Sequence, residues 1–230
     1  AWHANTDEQR LMKVSLTGYG EVDSLILETF ENHSEPLVLD LFCQREQTVD
    51  RIDKERDEAL PPFLFDHHKS NFERYGNRKW ALIDTNYCGA LVYWNYLMSL
   101  DLSPERRAKI EMLEPLIRIA NDRDLWLGQI PESRLWQALI TMCGQWGVLM
   151  RLTANPSAEL TQSEREGAVD FVERQEKRFD AAKDKIIRTG NELSFVCDGV
   201  LEFGDVSDFC GLVLDRDENP PLVAAVAAKR

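Results

Sequence analysis

The sequence predicts an α/β fold: a parallel sheet flanked by helices, then a helical linker, then the opening of a smaller α+β unit. Three observations predict it. Short apolar runs of strand length recur at Leu37–Leu41 (LVLDL), Phe63–Asp66 (FLFD) and Trp80–Asp84 (WALID), each with a carboxylate at or near its end. Helix-like or loop-like material separates the runs, and strands alternating with helices favour parallel pairing through crossover helices. From about Asn191 the pattern changes to short strands around a short helix.

The elements are justified in order. Gln44 to Leu60 is charged, with Val49 and Ile52 on one side, which predicts an exposed amphipathic helix. Cys88-Gly89-Ala90 opens an apolar helix that runs to about Leu100. Ser103-Pro104-Glu105 is a helix start, with Ser as cap and Pro at the first helical position. That helix is expected to carry Ile110, Leu113, Leu116 and Ile117 on one face and to run towards Asn121. Ser133 to Met150 reads as another helix, and Ser163 to Arg188 as a long charged one joining two lobes. ELSFVCDGVLEFG predicts two short strands, Asp205 to Leu214 a short helix, and LVAAVAAKR a strand. The expected divisions are 1–160 for the first domain, 161–190 for the linker and 191–230 for the start of the second.

Composition removes several classes. A 43% hydrophobic share with only 12 Gly and 9 Pro excludes a disordered or fibrous chain. No segment approaches the ~18 consecutive apolar residues of a spanning helix, so no membrane association is expected. The formal charge of −13 excludes a surface that coats nucleic acid. Any phosphate-bearing substrate has to be received by a local basic patch or by metal ions. The five cysteines are scattered and none forms a CxxC pair, which predicts buried free thiols and a cytoplasmic location.

The informative segment is Phe65-Asp66-His67-His68-Lys69-Ser70-Asn71. A carboxylate followed by two imidazoles, where a strand leaves a sheet, is an economical metal and phosphate site. One imidazole can coordinate a divalent cation while its neighbour faces a phosphoryl group. The alternative is a polar turn with two solvated histidines, but Asp40 near the end of the preceding strand favours the functional reading. Lys69, Arg74, Arg78 and Lys79 stand against Glu73 alone, so the same stretch is locally basic. Lys69, Asn71, Arg74 and Arg78 are the candidate substrate-binding residues; a solvated basic loop is the equal alternative.

These residues resemble the DHH phosphoesterase superfamily. LVLDL looks like its second motif, FDHHKSN its signature motif, and TNYCGALVYWNYL the helix start that follows. IANDRDLW resembles the acidic fourth motif in the form seen in the oligoribonuclease branch. The resemblance runs from about Leu37 to Trp126, with a looser likeness through the tail. It implies that Asp40, His67 and Asp124 are metal ligands, Asp40 bridging two ions. It implies that His68 faces the scissile phosphate and that Asp66 supports the site from behind the ligands. Asp122 is the rival to Asp124 for the last ligand. The implied ion is Mn²⁺, with two ions in a complete enzyme; mixed carboxylate and imidazole ligands agree, and Mg²⁺ is the second choice.

Two motifs of that family are absent from the sequence. There is no strand ending in His-x-Asp-x-Asp-Gly, since Trp2 to Glu8 has a His and an Asp at the wrong spacing. There is no Gly-Gly-Gly-His segment either. A start at Ala1 and an end at Arg230 favour a piece of a longer enzyme over a degenerate relative that has lost catalysis. The expected function is a metal-dependent phosphodiesterase acting on short RNA or DNA oligonucleotides, or on a related nucleotide, through a metal-activated water. The alternatives are a non-catalytic nucleotide-binding module, or a cyclic dinucleotide phosphodiesterase, pyrophosphatase or exopolyphosphatase of the same family. A homodimer is a candidate assembly. The chain as given is expected to hold at most one divalent ion.

Overall fold

The computed structural model describes residues 13–57, 59–190, 192–197, 200–202, 204–215 and 223–228. The chain divides into two compact units, 1–134 with 145–159, and 135–144 with 160–230. The fold is α/β, and the Trp2 to Glu8 stretch lies outside the described residues.

The first unit is organised around a three-stranded parallel sheet. Helix α1 (Val22–Glu31) precedes strand β1 (Val38–Leu39), and α2 (Glu46–Glu55) crosses over to β2 (Leu64–Asp66). The short α3 (Lys69–Tyr75) leads to β3 (Ala81–Ile83), so sheet order follows chain order. The register pairs Leu39 with Phe65, and Asp66 with Ile83. All three strands therefore end at one edge, and Asp40 and Asp66 meet there. β1 stops before Asp40 because Asp40 turns into the left-handed region (φ 64), which ends the extended run one residue earlier than the sequence pattern suggests.

Side-chain alternation along β2 sends Leu64 and Phe65 to opposite faces. Leu64 joins Val22, Ile26, Phe42, Val49, Ile52 and Trp80 in the larger core. Phe63 stacks on Trp80 with centroids 5.6 Å apart, and Trp80 meets Phe42 at 5.1 Å. α2 is the amphipathic helix expected, with Thr48, Val49 and Ile52 turned inward. On the other face, Phe65 packs against Tyr93 and Tyr96 of α4 (Gly89–Ser99), with centroids 4.7 and 5.1 Å apart. The sheet is thus covered on both sides, as a parallel sheet requires.

Ser103 caps α5 (Pro104–Glu111), its side chain accepting from the Arg106 amide. The expected run to Asn121 is broken at Met112–Leu113, and α6 (Glu114–Asp124) starts afresh. Pro115 has no amide to bond back to Glu111 and its ring crowds that carbonyl, so it fits the first turn of a helix and cannot continue one. α7 (Pro131–Ala154) contains Gly144 at φ 72, ψ 161, a kink that residues with a side chain rarely adopt. The division between the two units runs through that glycine.

In the second unit α8 (Gln162–Lys183) opens with a full capping box between Thr161 and Glu164. It ends five residues before the expected Arg188, because Ile187–Thr189 is strand β4. β4 pairs antiparallel with β5 (Glu192–Cys197), and β6 (Val223–Ala228) pairs parallel with β5, forming a separate three-stranded sheet. Among the described residues, 200–202 form no strand where a second one was expected, and β5 takes its partners from before and after. Phe179 and Ala182 of α8 pack with Leu201 and with Phe209 of α9 (Asp205–Asp215). Cys43 and Cys88 are buried free thiols as expected, whereas Cys143, also free, is exposed. No helix among the described residues is long and apolar enough to cross a membrane.

Candidate metal centre

The carboxyl ends of β1 and β2 bring Asp40 beside the Asp66-His67-His68 turn, and the Asp40 amide donates to the Phe65 carbonyl at 3.0 Å. α4 approaches this edge closely. A Cβ at Gly89 would lie 2.9 Å from the Phe65 carbonyl oxygen and 3.0 Å from the Asp40 nitrogen, so only glycine lets the helix start there. The preceding residue, Cys88, donates its amide to Asn121 Oδ1 at 2.9 Å, which ties α6 to the same place. The end of α6 then delivers Asp124.

Three side chains converge. Asp40 Oδ1 and Asp124 Oδ2 each lie 3.1 Å from His67 Nε2. Both oxygens are shielded from solvent, and neither accepts a hydrogen bond. One imidazole N–H cannot serve two carboxylates, and buried oxygens without donors are costly. Ligand atoms about 2.1 Å from an octahedral cation lie about 3.0 Å apart when adjacent. The spacing and the missing donors therefore fit one shared cation, held by an imidazole and two carboxylates. Burial first, and then the Asp124 charge, pushes the Asp40 carboxyl above its ordinary range, with His67 and His68 offsetting part of the effect. A cation would relieve that repulsion.

Asp66, His67, His68 and Asp40 all offer a ligand atom within 4.8 Å of one another, but Asp66 is already committed. Its Oδ1 accepts from the His67 amide at 2.7 Å and lies 2.8 Å from His68 Nδ1. Its Oδ2 accepts from the Asn71 side-chain amide. Burial works to raise the Asp66 pKa, yet the bonds from His68, Asn71 and the His67 backbone hold it below the ordinary carboxylate range. His68 shows the complement. Burial disfavours its charged form, but the Asp66 hydrogen bond and charge, with Asp40 and Asp124 beyond, raise its pKa. Asp66 thus orients His68 through Nδ1 and leaves Nε2 for other work.

Asp124, and not Asp122, is the acidic residue at His67. Asp122 accepts from the Gln129 and Ile130 amides at 2.7 and 3.1 Å and from Ser133 Oγ at 2.6 Å, which pins the start of α7. The expected substrate residues fare differently. Asn71 is buried on Asp66, so it steadies the site and does not face a ligand. Arg78 is drawn to Asp53, 3.2 Å away, together with the Trp80 indole N–H. Lys69 is exposed, 3.9 Å from Glu73, and Arg74 is exposed on α3. The small-residue helix start at Cys88-Gly89-Ala90 is the sequence signal for the close approach at Gly89, and no local signal marks Asn121.

No family model and no curated protein matches the chain. Among solved structures it is similar to an uncharacterized protein from Helicobacter pylori G27, at 18% identity and a TM-score of 0.49, over 96% of this chain and 76% of that one. A likeness at that level carries no argument about function.

Proposed function

We propose that this chain carries the metal centre of a DHH-type phosphoesterase that hydrolyses phosphodiesters in short oligonucleotides. The observation that carries the reading is the convergence of two donorless carboxylate oxygens on His67 Nε2, beside the Asp66–His68 pair. Asp40, His67 and Asp124 would hold the cation, with Mn²⁺ favoured by the mixed donor set. A divalent ion there supplies a water activated near neutral pH and neutralises charge on phosphoryl oxygens.

The remaining steps belong to the chain. His68, protonated more readily than a free imidazole, would give a proton from Nε2 to the departing oxygen of the phosphoester. Asp66 fixes its tautomer and steadies the imidazolium, and Asn71 holds Asp66 in place. The described residues supply three direct ligands, so the reading is of a one-ion centre; a second ion so near would need further anionic ligands.

Mn²⁺ titration of wild type, His67→Ala and His68→Ala, with turnover on the RNA dinucleotide pApA, pyrophosphate and a cyclic dinucleotide, tests the proposal. His67→Ala is expected to lose most metal affinity, whereas His68→Ala keeps it and loses turnover. Equal affinity in wild type and His67→Ala sinks the reading. Preference for pyrophosphate reassigns the substrate, and nucleotide binding without turnover points to a binding module.

A further inference from the structure

The phosphoesterase reading, on which this inference rests, says how a phosphate is met but not how the rest of the substrate is held. Charge provides little. The chain is at −13, Arg78 is drawn to Asp53, and Lys69 lies 3.9 Å from Glu73. Aromatic surface is better provided. Trp126, 45% exposed, follows Asp124 by two residues, and Tyr87, 41% exposed, directly precedes the cap of α4. Tyr19, 48% exposed, has a hydroxyl pKa raised by burial and then by the charges of Asp66 and Asp40, so it lies within their field.

Trp126 is the most firmly built of these. Its backbone sits at φ 56, the left-handed turn that stops a helix when the amides beyond its end bond back onto it. They do so here: the Trp126 amide donates to the Arg123 carbonyl, and the Leu127 amide to the Asp122 carbonyl at 2.9 Å. The Asp122 carboxylate then fixes Gln129 and Ile130 just beyond. The Arg123 guanidinium lies over the indole, 4.4 Å from its centroid. The helix stop thus holds a large apolar ring out in solvent two residues beyond Asp124.

We propose that Trp126, backed by Arg123, is a stacking platform for a nucleobase of the substrate, whose phosphate would be met by a cation held by Asp40, His67 and Asp124. Base-on-indole stacking tolerates any base and is little screened by salt, which suits an acidic protein acting on short oligonucleotides. The Arg123 contact adds a cation–π component and keeps the ring from rotating.

Isothermal titration of the chain in EDTA with pApA and with inorganic phosphate reads the platform without metal. Trp126→Ala is expected to weaken pApA binding about ten-fold, and Trp126→Phe to keep most of it, with phosphate binding unchanged. Should Trp126→Ala fail to fold, Trp126→Gly, at ease at φ 56, makes the same comparison. Equal pApA affinity in wild type and variant, or no pApA binding by wild type, overturns the proposal. Mn²⁺ titration of the same proteins separates the two readings. Metal binding with unchanged base binding sinks the platform alone, and base binding lost with Trp126 in a protein that holds no Mn²⁺ sinks the phosphoesterase alone.

Discussion

Asp122 and Asp124 stand two residues apart at the end of α6 and face different partners. Asp122 is 2% exposed and accepts three hydrogen bonds from the chain that follows it. Asp124 turns an oxygen without a donor to within 3.1 Å of His67 Nε2. One holds the loop, and the other is available to a cation.

Substituting the two separates folding from binding. Asp122→Ala strands the Gln129 and Ile130 amides and the buried Ser133 hydroxyl and is expected to lower stability by about 3 kcal/mol in urea melts. Asp124→Asn should leave stability nearly unchanged and weaken Mn²⁺ by more than about ten-fold. The opposite pattern would place the ligand at Asp122.

Asp40→Asn should stabilise the metal-free protein. The raised Asp40 pKa means that the folded state disfavours the carboxylate, so its charge destabilises above the unfolded pKa and the penalty vanishes as pH falls below it. Asparagine removes the charge and accepts the left-handed backbone. A melting temperature about 2 to 4 °C higher at pH 7 is expected, with the gain gone near pH 3 and Mn²⁺ binding lost.

Gly89→Ala is expected to cost about 2 kcal/mol, because the added methyl meets backbone of β2 and of Asp40 just after β1, which cannot step aside as a side chain would. Displacement of Asp40 should also weaken Mn²⁺ binding in the same titration. A variant with wild-type melting and metal affinity would contradict the close approach.

In the second unit, Asp205 carries the clearest acid sensitivity. Burial alone would raise its pKa, but Arg178 at 2.6 Å, the Glu202 amide and Gln175 hold it below the ordinary value. Its contribution is therefore present above an unfolded pKa near ~3.9 and lost as pH falls through the lower folded value. Asp205→Asn should cost about 3 kcal/mol at pH 7. Wild type and variant should converge in thermal melts as pH falls through the lowered folded value.

The α/β class was legible because strand-length apolar runs and capped helix starts are local signals, as at Phe63–Asp66 and Ser103-Pro104. The break before Pro115 was equally local, but the apolar spacing of Ile110, Leu113 and Ile117 continues across it and masked it. Roles set by distant partners were not legible. Arg78 reads as a free cation until Asp53, 25 residues earlier, comes to meet it, and Asn71 reads as surface until the fold buries it on Asp66. Asp40 and His67 could be nominated from sequence as residues near strand ends, while the donorless approach of their atoms is visible only in three dimensions.

The left-handed backbone at Asp40 also limits what a lineage can do with this position. Asp, Asn and Gly adopt φ 64 most readily, and an Asp codon is one base from Asn and from Gly. Glutamate keeps the charge but pays for the turn, so a charge-conserving drift is closed. The open routes keep the fold and discard the anion. Loss of the anion at Asp40 therefore lies a single nucleotide away, with the turn that carries it left undisturbed.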